Sequence, residues 1–435
     1  MKKVDFLRKK YPKSVYQDHF YNLKKGNLEI SFLFKIEPDI CFRPKIVIKN
    51  VKKSQLKRVG EGALNNLVFH LGLMEIPSYW KATCSPEIQI EAGPLSMKAS
   101  PSSPSSTNLR FVSINKEQIK WWKDLILKGM GQFFYENKID WRKSNFLKIN
   151  CQGNKSYKRF NNKLKKRYLV PLSGGKDSIV TLELLKKRKK IVNCFLVNPT
   201  KTTKNVVKVA GIKNLVTAER TIDSVLLKLN KKGYLNGHTP FTAVLSFLSV
   251  FCAVLFDYKY IAFSNEKSAN EGNVKYLGKI INHQYSKSSE FERKFKYYSK
   301  KYLAKNVEYF SFLRKYNELE ISKMFVKYPK YFSIFSSCNV VLAKKLKKKW
   351  CGSCPKCLFV YATLYPFLKK EQLLKIFGRD IFENKKLLPV MKSLIGEGRP
   401  KPFECVGTKK ESRLALNLSL KKAKKLGKIP YLLTK

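Results

Sequence analysis

Two places in the chain bring together residue types that can do chemistry. The first is Ser173-Gly174-Gly175-Lys176-Asp177-Ser178, set between a short apolar stretch, Tyr168-Leu-Val-Pro-Leu172, and an amphipathic one, IVTLELLKK. Read as strand, loop and helix, this segment is built to hold an anion. Its glycines let the backbone approach a ligand and adopt positive φ. The unpaired N–H groups of the helix start point at whatever anion sits there. Ser173 and Ser178 add hydroxyl donors, Lys176 adds a charge, and Asp177 can cap the helix or hold a magnesium ion. The GxxxxGK[ST] spacing of a Walker loop is absent.

The second place is Trp350-Cys351-Gly-Ser-Cys354-Pro-Lys-Cys357, a C-x₂-C-x₂-C run with Cys338 13 residues upstream. Four thiolates make a closed tetrahedral zinc site of the structural kind. The three-cysteine core also suits an iron–sulfur cluster. A redox centre has no evident task beside an anion-binding loop, so zinc is the expectation.

Elements must position these residues. Strand-like stretches at 168–172, 191–197, 214–217 and 260–263 alternate with helical ones at 179–187, 203–211, 221–232 and 241–256. Such alternation predicts parallel pairing and a doubly wound α/β sheet. Right-handed crossovers then gather the loops after the strand C-termini along one edge, where ligands bind. Ser264, Asn265, Glu266 and Asn270 follow a predicted strand and are expected on that edge, with Glu266 or Glu271 able to hold magnesium. Residues 1–150 read as an α+β domain suited to substrate recognition, 165–335 as the phosphate-loop domain, and 336–435 as a helical part bearing the cysteines. The polar, basic stretch 151–167 reads as a linker, and Pro101–Thr107 as an exposed loop.

Composition excludes several classes. Of 435 residues, 44% are hydrophobic and 13% aromatic, so the chain forms a core and is no disordered basic tail. Ten cysteines are too sparse for a small disulfide scaffold, and three of them crowd into seven residues, which points to metal ligation in a reducing compartment. The N-terminus lacks an apolar h-region, so no signal peptide and a cytoplasmic location are expected. The longest apolar run, Phe241 to Phe256, is 16 residues with two serines, short for a membrane span and better read as a buried helix. The net charge of +57 suits a polyanionic partner, but the 88 basic residues comprise 74 lysines and 14 arginines. Bidentate recognition of phosphate and bases favours arginine. The lysines are spread along the chain, which favours a solvated surface over a nucleic-acid footprint.

The SGGKDS loop resembles the PP-loop, SGGxDS, of the N-type ATP pyrophosphatases, which include asparagine synthetase, GMP synthetase, cyanodeazaguanine synthase and tRNA-modifying enzymes. This resemblance implies a HUP-like fold and cleavage of ATP between its α and β phosphates. A substrate oxygen attacks the α-phosphate, giving an adenylate and pyrophosphate. Cyanodeazaguanine synthase similarly pairs a PP-loop with a downstream four-cysteine zinc site.

Longer blocks resemble one bacterial family, the UDP-N-acetyl-α-D-muramoyl-L-alanyl-L-glutamate epimerases. They include VFHLGLMEIPSYWKATCSPE (68–87), VPLSGGKDS (170–178), GHTPFTAVLSFLS (237–249), SNEKSANEGN (264–273), NHQYSKSSEFE (282–292), WCGSCPKCLFV (350–360) and KPFECVGT (401–408). The resemblance implies that ATP adenylates the α-carboxylate of the terminal L-Glu of UDP-MurNAc-L-Ala-L-Glu. The mixed anhydride makes the adjacent C–H acidic, a base and an acid invert it to D-Glu, and hydrolysis releases AMP. ATP, Mg2+ and a structural Zn2+ are the implied cofactors, and a ligase adding L-Glu the neighbouring enzyme. No nucleic acid is required and no membrane span is expected. His238, His283 and Cys405 are the candidates for proton transfer, since inversion needs groups on opposite faces. His70 and Cys84 are weaker ones. The competing readings are a PP-loop tRNA-modifying enzyme and a zinc-stabilised nucleic-acid-binding protein.

Overall fold

The computed structural model describes residues 1–92, 113–151, 153, 157–344 and 346–435. Pro101–Thr107 therefore lies outside the described residues. The chain forms two compact units, each assembled from separate segments. The first comprises Met1–Lys166, Val216–Ile261 and Arg293–Glu308, and the second Arg167–Leu215, Ala262–Glu292 and Tyr309–Lys435. The cysteine-bearing C-terminal stretch thus folds in the same unit as the phosphate loop.

The first unit is α+β. Asn27–Ile36 alternates, with Leu28, Ile30, Phe32, Phe34 and Ile36 buried at every second position, the pattern of a strand with one face in the core. It pairs antiparallel with Lys13–Lys24 and, on its other side, with Lys45–Ile48. Lys45–Ile48 in turn pairs antiparallel with the strand Leu215–Thr221. Lys13–Lys24 also pairs parallel with Glu87–Ile90, and that strand with Lys148–Cys151. Helix Glu61–Trp80 is buried from Leu64 to Trp80 and packs on the buried helix Phe241–Phe256. Its Gly72 faces the Tyr16 ring so closely that a Cβ there would overlap it. Among the described residues no helix is long and apolar enough to cross a membrane.

The stretch expected as a linker is anchored instead. Phe160 and Leu164 are buried, and Phe160 N–H donates to the Leu303 carbonyl at 2.8 Å. Two apolar residues in a basic segment suffice to tie it to the core. The helix expected over 221–232 is shorter, Ser224–Lys231, because the preceding strand runs on to Thr221.

Buried histidines should make this unit less stable in acid. His70 Nδ1 lies 2.8 Å from the Asn66 carbonyl and Nε2 lies 3.0 Å from the Tyr298 hydroxyl. That hydroxyl already receives Gln118 and Trp122 N–H groups, so its own proton goes to Nε2 and the ring is neutral. Burial pushes His70 down to about 4, the carbonyl opposing, and His19 down to about 3. Neutral histidine contributes stability above the unfolded pKa of about 6.5, and this is lost as pH falls through the folded values. Asp18, pushed up to about 6 by burial, acts in the opposite sense over a smaller range. The urea midpoint of unfolding should therefore fall between about pH 6.5 and 4. His19→Phe should flatten that fall, and an equally steep profile in the variant would reject His19 as its source.

In the second unit the strands run in the order Glu308–Ser311, Tyr260–Phe263, Tyr168–Pro171, Val192–Val197. Tyr168–Pro171 and Val192–Val197 are parallel, joined by helix Lys176–Lys187. The chain leaves Tyr168–Pro171 toward one neighbour, and a later strand joins on the other side. The order reverses there, and a ligand crevice is expected where it does. Leu172–Gly175 emerges at that point. Helices Glu318–Phe325, Pro355–Leu364 and Lys409–Lys425 pack together around an apolar core that includes Leu319, Phe325, Phe335, Leu358, Phe359, Tyr361 and Ala415.

Candidate active site

The phosphate loop has the geometry its residues dictate. Gly174 takes φ +88°, a conformation L side chains avoid, and a Cβ there would press within 2.9 Å of Thr202 Cγ2. Its carbonyl accepts the Ser336 N–H at 3.1 Å. Gly175 is the N-cap of helix Lys176–Lys187, and no side chain caps it. The first amides of that helix have no partner within it, so they remain available to an anion. Ser173 is exposed on the loop.

Two loop residues turn inward. Lys176 is 2% exposed, and its Nζ meets Asp177 Oδ1 at 2.5 Å and the Glu318 carboxylate directly. The Ser178 hydroxyl donates to the Gly175 carbonyl at 3.0 Å, bracing the turn. In this structure Lys176 and Ser178 hold the loop in shape, while the backbone amides, Ser173 and Asp177 face outward from it.

A charged cluster surrounds the loop. Asp177, Glu266 and Glu318 lie in the field of Lys176, Lys287 and Lys356. Burial raises the Asp177 carboxyl, and Lys176 with Lys356 reverses this, holding it below the usual range. Glu266 is raised by burial, with Lys287 opposing. Glu318 is pushed up to about 7 by burial, against Lys176 and with Asp177 adding to the rise. Lys176 itself stays an ammonium, since its two carboxylate contacts outweigh burial. Buried carboxylates crowded by like charges gain from a further cation, and the hard oxygen donors of Asp177 and Glu266 suit magnesium.

The loop after Tyr260–Phe263 divides by role. Glu266 is buried in the cluster, and its carbonyl accepts Arg314 at 2.7 Å. The Ser264 hydroxyl is buried without a hydrogen-bond partner among the described residues. Asn265 donates to the Ser311 hydroxyl at 3.0 Å. Asn270 is exposed and accepts the Ser289 N–H and hydroxyl, a tether between segments. Glu271 accepts Lys401 Nζ at 3.0 Å and the Lys409 N–H at 3.1 Å, so it anchors helix Lys409–Lys425.

Cys405 and His283 come to this region from distant parts of the sequence. Lys287 Nζ lies 3.1 Å from Cys405 Sγ, and Lys356 Nζ meets the Cys405 carbonyl. His283 donates its N–H to Asn273 Oδ1 at 2.8 Å, and its ring packs edge-on against Phe403. Asn273 in turn donates to the Pro402 carbonyl at 2.7 Å. Segments 273–287 and 402–405 therefore form one wall. His238 folds with the first unit, where the neighbouring Asn236 side chain and Gly237 carbonyl receive Lys81. Cys84, also in the first unit, is buried, and its thiol is raised to about 12 by burial, with Arg8 opposing.

Sequence reasoning missed Glu318, Lys287 and Lys356. Glu318 opens a helix behind the Asn317 cap, and its N–H donates to Glu411 at 2.9 Å. Each lysine is one among 74, and only burial distinguishes it.

Cys338, Cys351, Cys354 and Cys357 are buried with their sulfurs within 4.8 Å of one another. The Cys338–Cys354 and Cys351–Cys357 separations are 3.8 and 3.7 Å. Sulfurs about 2.3 Å from one tetrahedral ion stand about 3.8 Å apart, so the donors fit a single zinc. A cluster that places thiolates on separate irons needs a wider frame. Cys351 Sγ accepts the Ser353 N–H and Cys354 Sγ the Cys357 N–H, as thiolates do.

This is an α/β unit with an uncapped glycine turn at a helix start, a buried charged cluster and a four-cysteine group. Residues 98–312 match the MurL N-terminal domain, and residues 334–430 the MurL C-terminal domain. The UDP-N-acetyl-alpha-D-muramoyl-L-alanyl-L-glutamate epimerase of Xanthomonas oryzae pv. oryzae is 31% identical over 342 residues, 78% of this chain and 71% of that protein. Those of Micromonospora sp. and Salinispora tropica are 38% and 39% identical over 253 and 254 residues, 58% of this chain in each case. The chain spans about half the length of these two, 56% and 55%. A solved structure, a predicted subunit of tRNA methyltransferase from Methanocaldococcus jannaschii, superposes with a TM-score of 0.25 and 16% identity over 37% of this chain and 75% of that one. The chain belongs to the UDP-N-acetyl-alpha-D-muramoyl-L-alanyl-L-glutamate epimerase (MurL) family.

Proposed function

We propose that this protein is an ATP-dependent epimerase of peptidoglycan precursor synthesis. It adenylates the terminal L-Glu of UDP-MurNAc-L-Ala-L-Glu, inverts it to D-Glu and releases AMP and pyrophosphate. It works in the cytoplasm beside the ligase that adds L-Glu. The observation that carries this reading is the phosphate loop opening onto a buried cluster of carboxylates and ammonium groups.

Each residue has a task. The loop amides and Ser173 bind the triphosphate, with Gly174 and Gly175 permitting the close approach. Asp177 and Glu266 hold magnesium, which supplies charge neutralisation on the phosphates when bound. Lys176 bridges Glu318 and Asp177 and fixes the start of the helix. The buried Ser264 hydroxyl offers an unspent hydrogen bond to the substrate or nucleotide. Four cysteines hold zinc, which locks the helix Pro355–Leu364 to the core.

Adenylation removes the negative charge from the glutamate carboxylate, so the Cα proton can leave as the carbonyl accepts the electron pair. Cys405 and His283 are the candidates for the transfer, one from each of the segments 402–405 and 273–287 that meet here, and inversion requires them to act from opposite faces of Cα. Lys287 Nζ lies 3.1 Å from Cys405 Sγ and helps to fix its position.

Purified protein with ATP, magnesium and UDP-MurNAc-L-Ala-L-Glu should yield AMP and a D-Glu product by chiral analysis. AMP with L-Glu alone would remove the epimerisation and keep the adenylation. AMP formed with tRNA and not with the muropeptide nucleotide would favour an RNA-modifying enzyme.

A further inference from the structure

Lys356 has no place in the proposed chemistry so far, yet it is among the most constrained lysines in the chain. It lies between Cys354 and Cys357, in the first turn of helix Pro355–Leu364, with Cys354 as the N-cap. It is 6% exposed. A lysine ammonium is not left in a protein interior without compensation. Lys176 has that compensation in Asp177 and Glu318. Lys356 has one polar contact, the Cys405 carbonyl, and among the described residues no carboxylate touches it directly. Asp177, Glu266, Glu318 and Glu404 feel its charge only from farther away. One of its three donors is placed on the Cys405 carbonyl, and the Phe359 ring lies with its centroid 6.0 Å from Nζ. A buried ammonium with open donors beside an anion-binding loop is half of an interaction whose other half is an incoming anion.

The backbone explains why it points there. The two ligands flanking it in the sequence belong to the four-cysteine centre, and Gly352, at φ +70°, lets the chain turn between the cysteines. Cys338 follows directly on Ser336 and Ser337, which pack on the phosphate loop. The Ser336 N–H donates to Gly174, and a Cβ on Gly175 would lie 3.3 Å from Ser337 Cβ. The four-cysteine centre thus grips the phosphate loop from one side and Lys356 from the other.

We propose that Lys356 supplies the positive charge that receives the polyphosphate of a nucleoside triphosphate in this site, and that the four-cysteine centre sets the reaction rate by holding that ammonium against the phosphate loop. The proposal rests on the adenylation reading and adds a residue and a task for the metal centre. In the step concerned, a substrate carboxylate oxygen forms a bond to the α-phosphorus. The bond from that phosphorus to the bridging oxygen breaks, and pyrophosphate leaves with the electron pair. Lys356 neutralises the charge that gathers on the leaving group.

Lys356→Gln tests this, because the amide keeps an N–H donor for the Cys405 carbonyl while removing the charge. With one zinc per chain and an unchanged melting temperature, its kcat for pyrophosphate release should fall about 100-fold. Lys356→Arg, which restores the charge, should recover most of that loss. Titration with inorganic tripolyphosphate gives a readout without turnover, and the Gln variant should bind at least about tenfold more weakly than the natural chain. Equal tripolyphosphate binding, or a kcat within about threefold, would overturn the proposal. Should the Gln variant fail to fold, a folded Arg variant as slow as a charge deletion would overturn it too. A natural chain that binds tripolyphosphate through Lys356 but never cleaves ATP would defeat the adenylation reading and leave this assignment standing.

Discussion

Lys176→Met should unlock the start of the phosphate-loop helix. Its ammonium is 2% exposed and contacts both Asp177 and Glu318, the latter 1% exposed. Methionine fills much of the same volume, so packing is nearly conserved. What remains is the buried Glu318 carboxylate, beside a partly exposed Asp177, with their shared counter-charge removed. Breaking a buried ion pair from one side costs about 3–5 kcal/mol, because the partner is left uncompensated. The expected readout is native-state hydrogen exchange, with the amides of Lys176–Lys187 exchanging about 100- to 4,000-fold faster in the variant. Adding Glu318→Leu should return a large part of the loss, since the stranded charge is then gone as well. A loss below about 1 kcal/mol in the single variant would mean that Lys176 is solvated and the pair is not buried in solution.

Cys351→Ala, or removal of the metal by a strong chelator, should unfold the C-terminal part of the second unit. The cysteines tie together residues that are distant in sequence, 338 and 351–357, beneath Trp350, which packs on Phe335 and Phe377 with ring centroids 5.3 and 4.8 Å apart. Structural zinc contributes about 10–16 kcal/mol of apparent binding free energy in small zinc modules near neutral pH, more than a domain's whole stability. Without it, four sulfurs at under 5 Å would be buried together as neutral thiols, with no ion to organise them. Elemental analysis should give one zinc per chain. Chelation should shift Trp350 emission to the red, best seen with the tryptophans of the first unit replaced by phenylalanine. Retained near-ultraviolet dichroism in metal-free protein would rule out the structural role.

Local patterns were legible and charge partners were not. The phosphate loop reads from the chain because its glycines, serines and aspartate are contiguous between an apolar strand and an amphipathic helix. The cysteine centre reads because ligand spacing is a covalent property. The helix Phe241–Phe256 reads because an apolar run of this length has to be buried along most of it, as Ser246–Leu255 is. Lys287 and Lys356 carried no signal, since a lysine that faces water and one that faces a carboxylate look alike in a chain with 74 of them. Glu318 looked like an ordinary acid in a first helical turn, and only the tertiary fold turns it toward Lys176. Among the loop candidates, Glu266 and Asn270 stand four residues apart, yet one is buried in the cluster and the other tethers an exposed turn. The stretch 151–167 misled through its composition, because the buried Phe160 and Leu164 tie down a segment whose other residues are mostly polar and basic.

The order in which the second unit's parts are synthesised has a kinetic cost. Residue 176 waits for its partner at 318, Gly174 waits for Ser336, and Cys405 must arrive before Lys287 and Lys356 have anything to hold. On a ribosome, Lys176 is translated 142 residues before Glu318, its buried counter-charge. Contacts so far apart along the chain slow folding and prolong exposure of apolar surface. The phosphate loop should therefore mature late, and chaperone dependence during translation should concentrate on this unit.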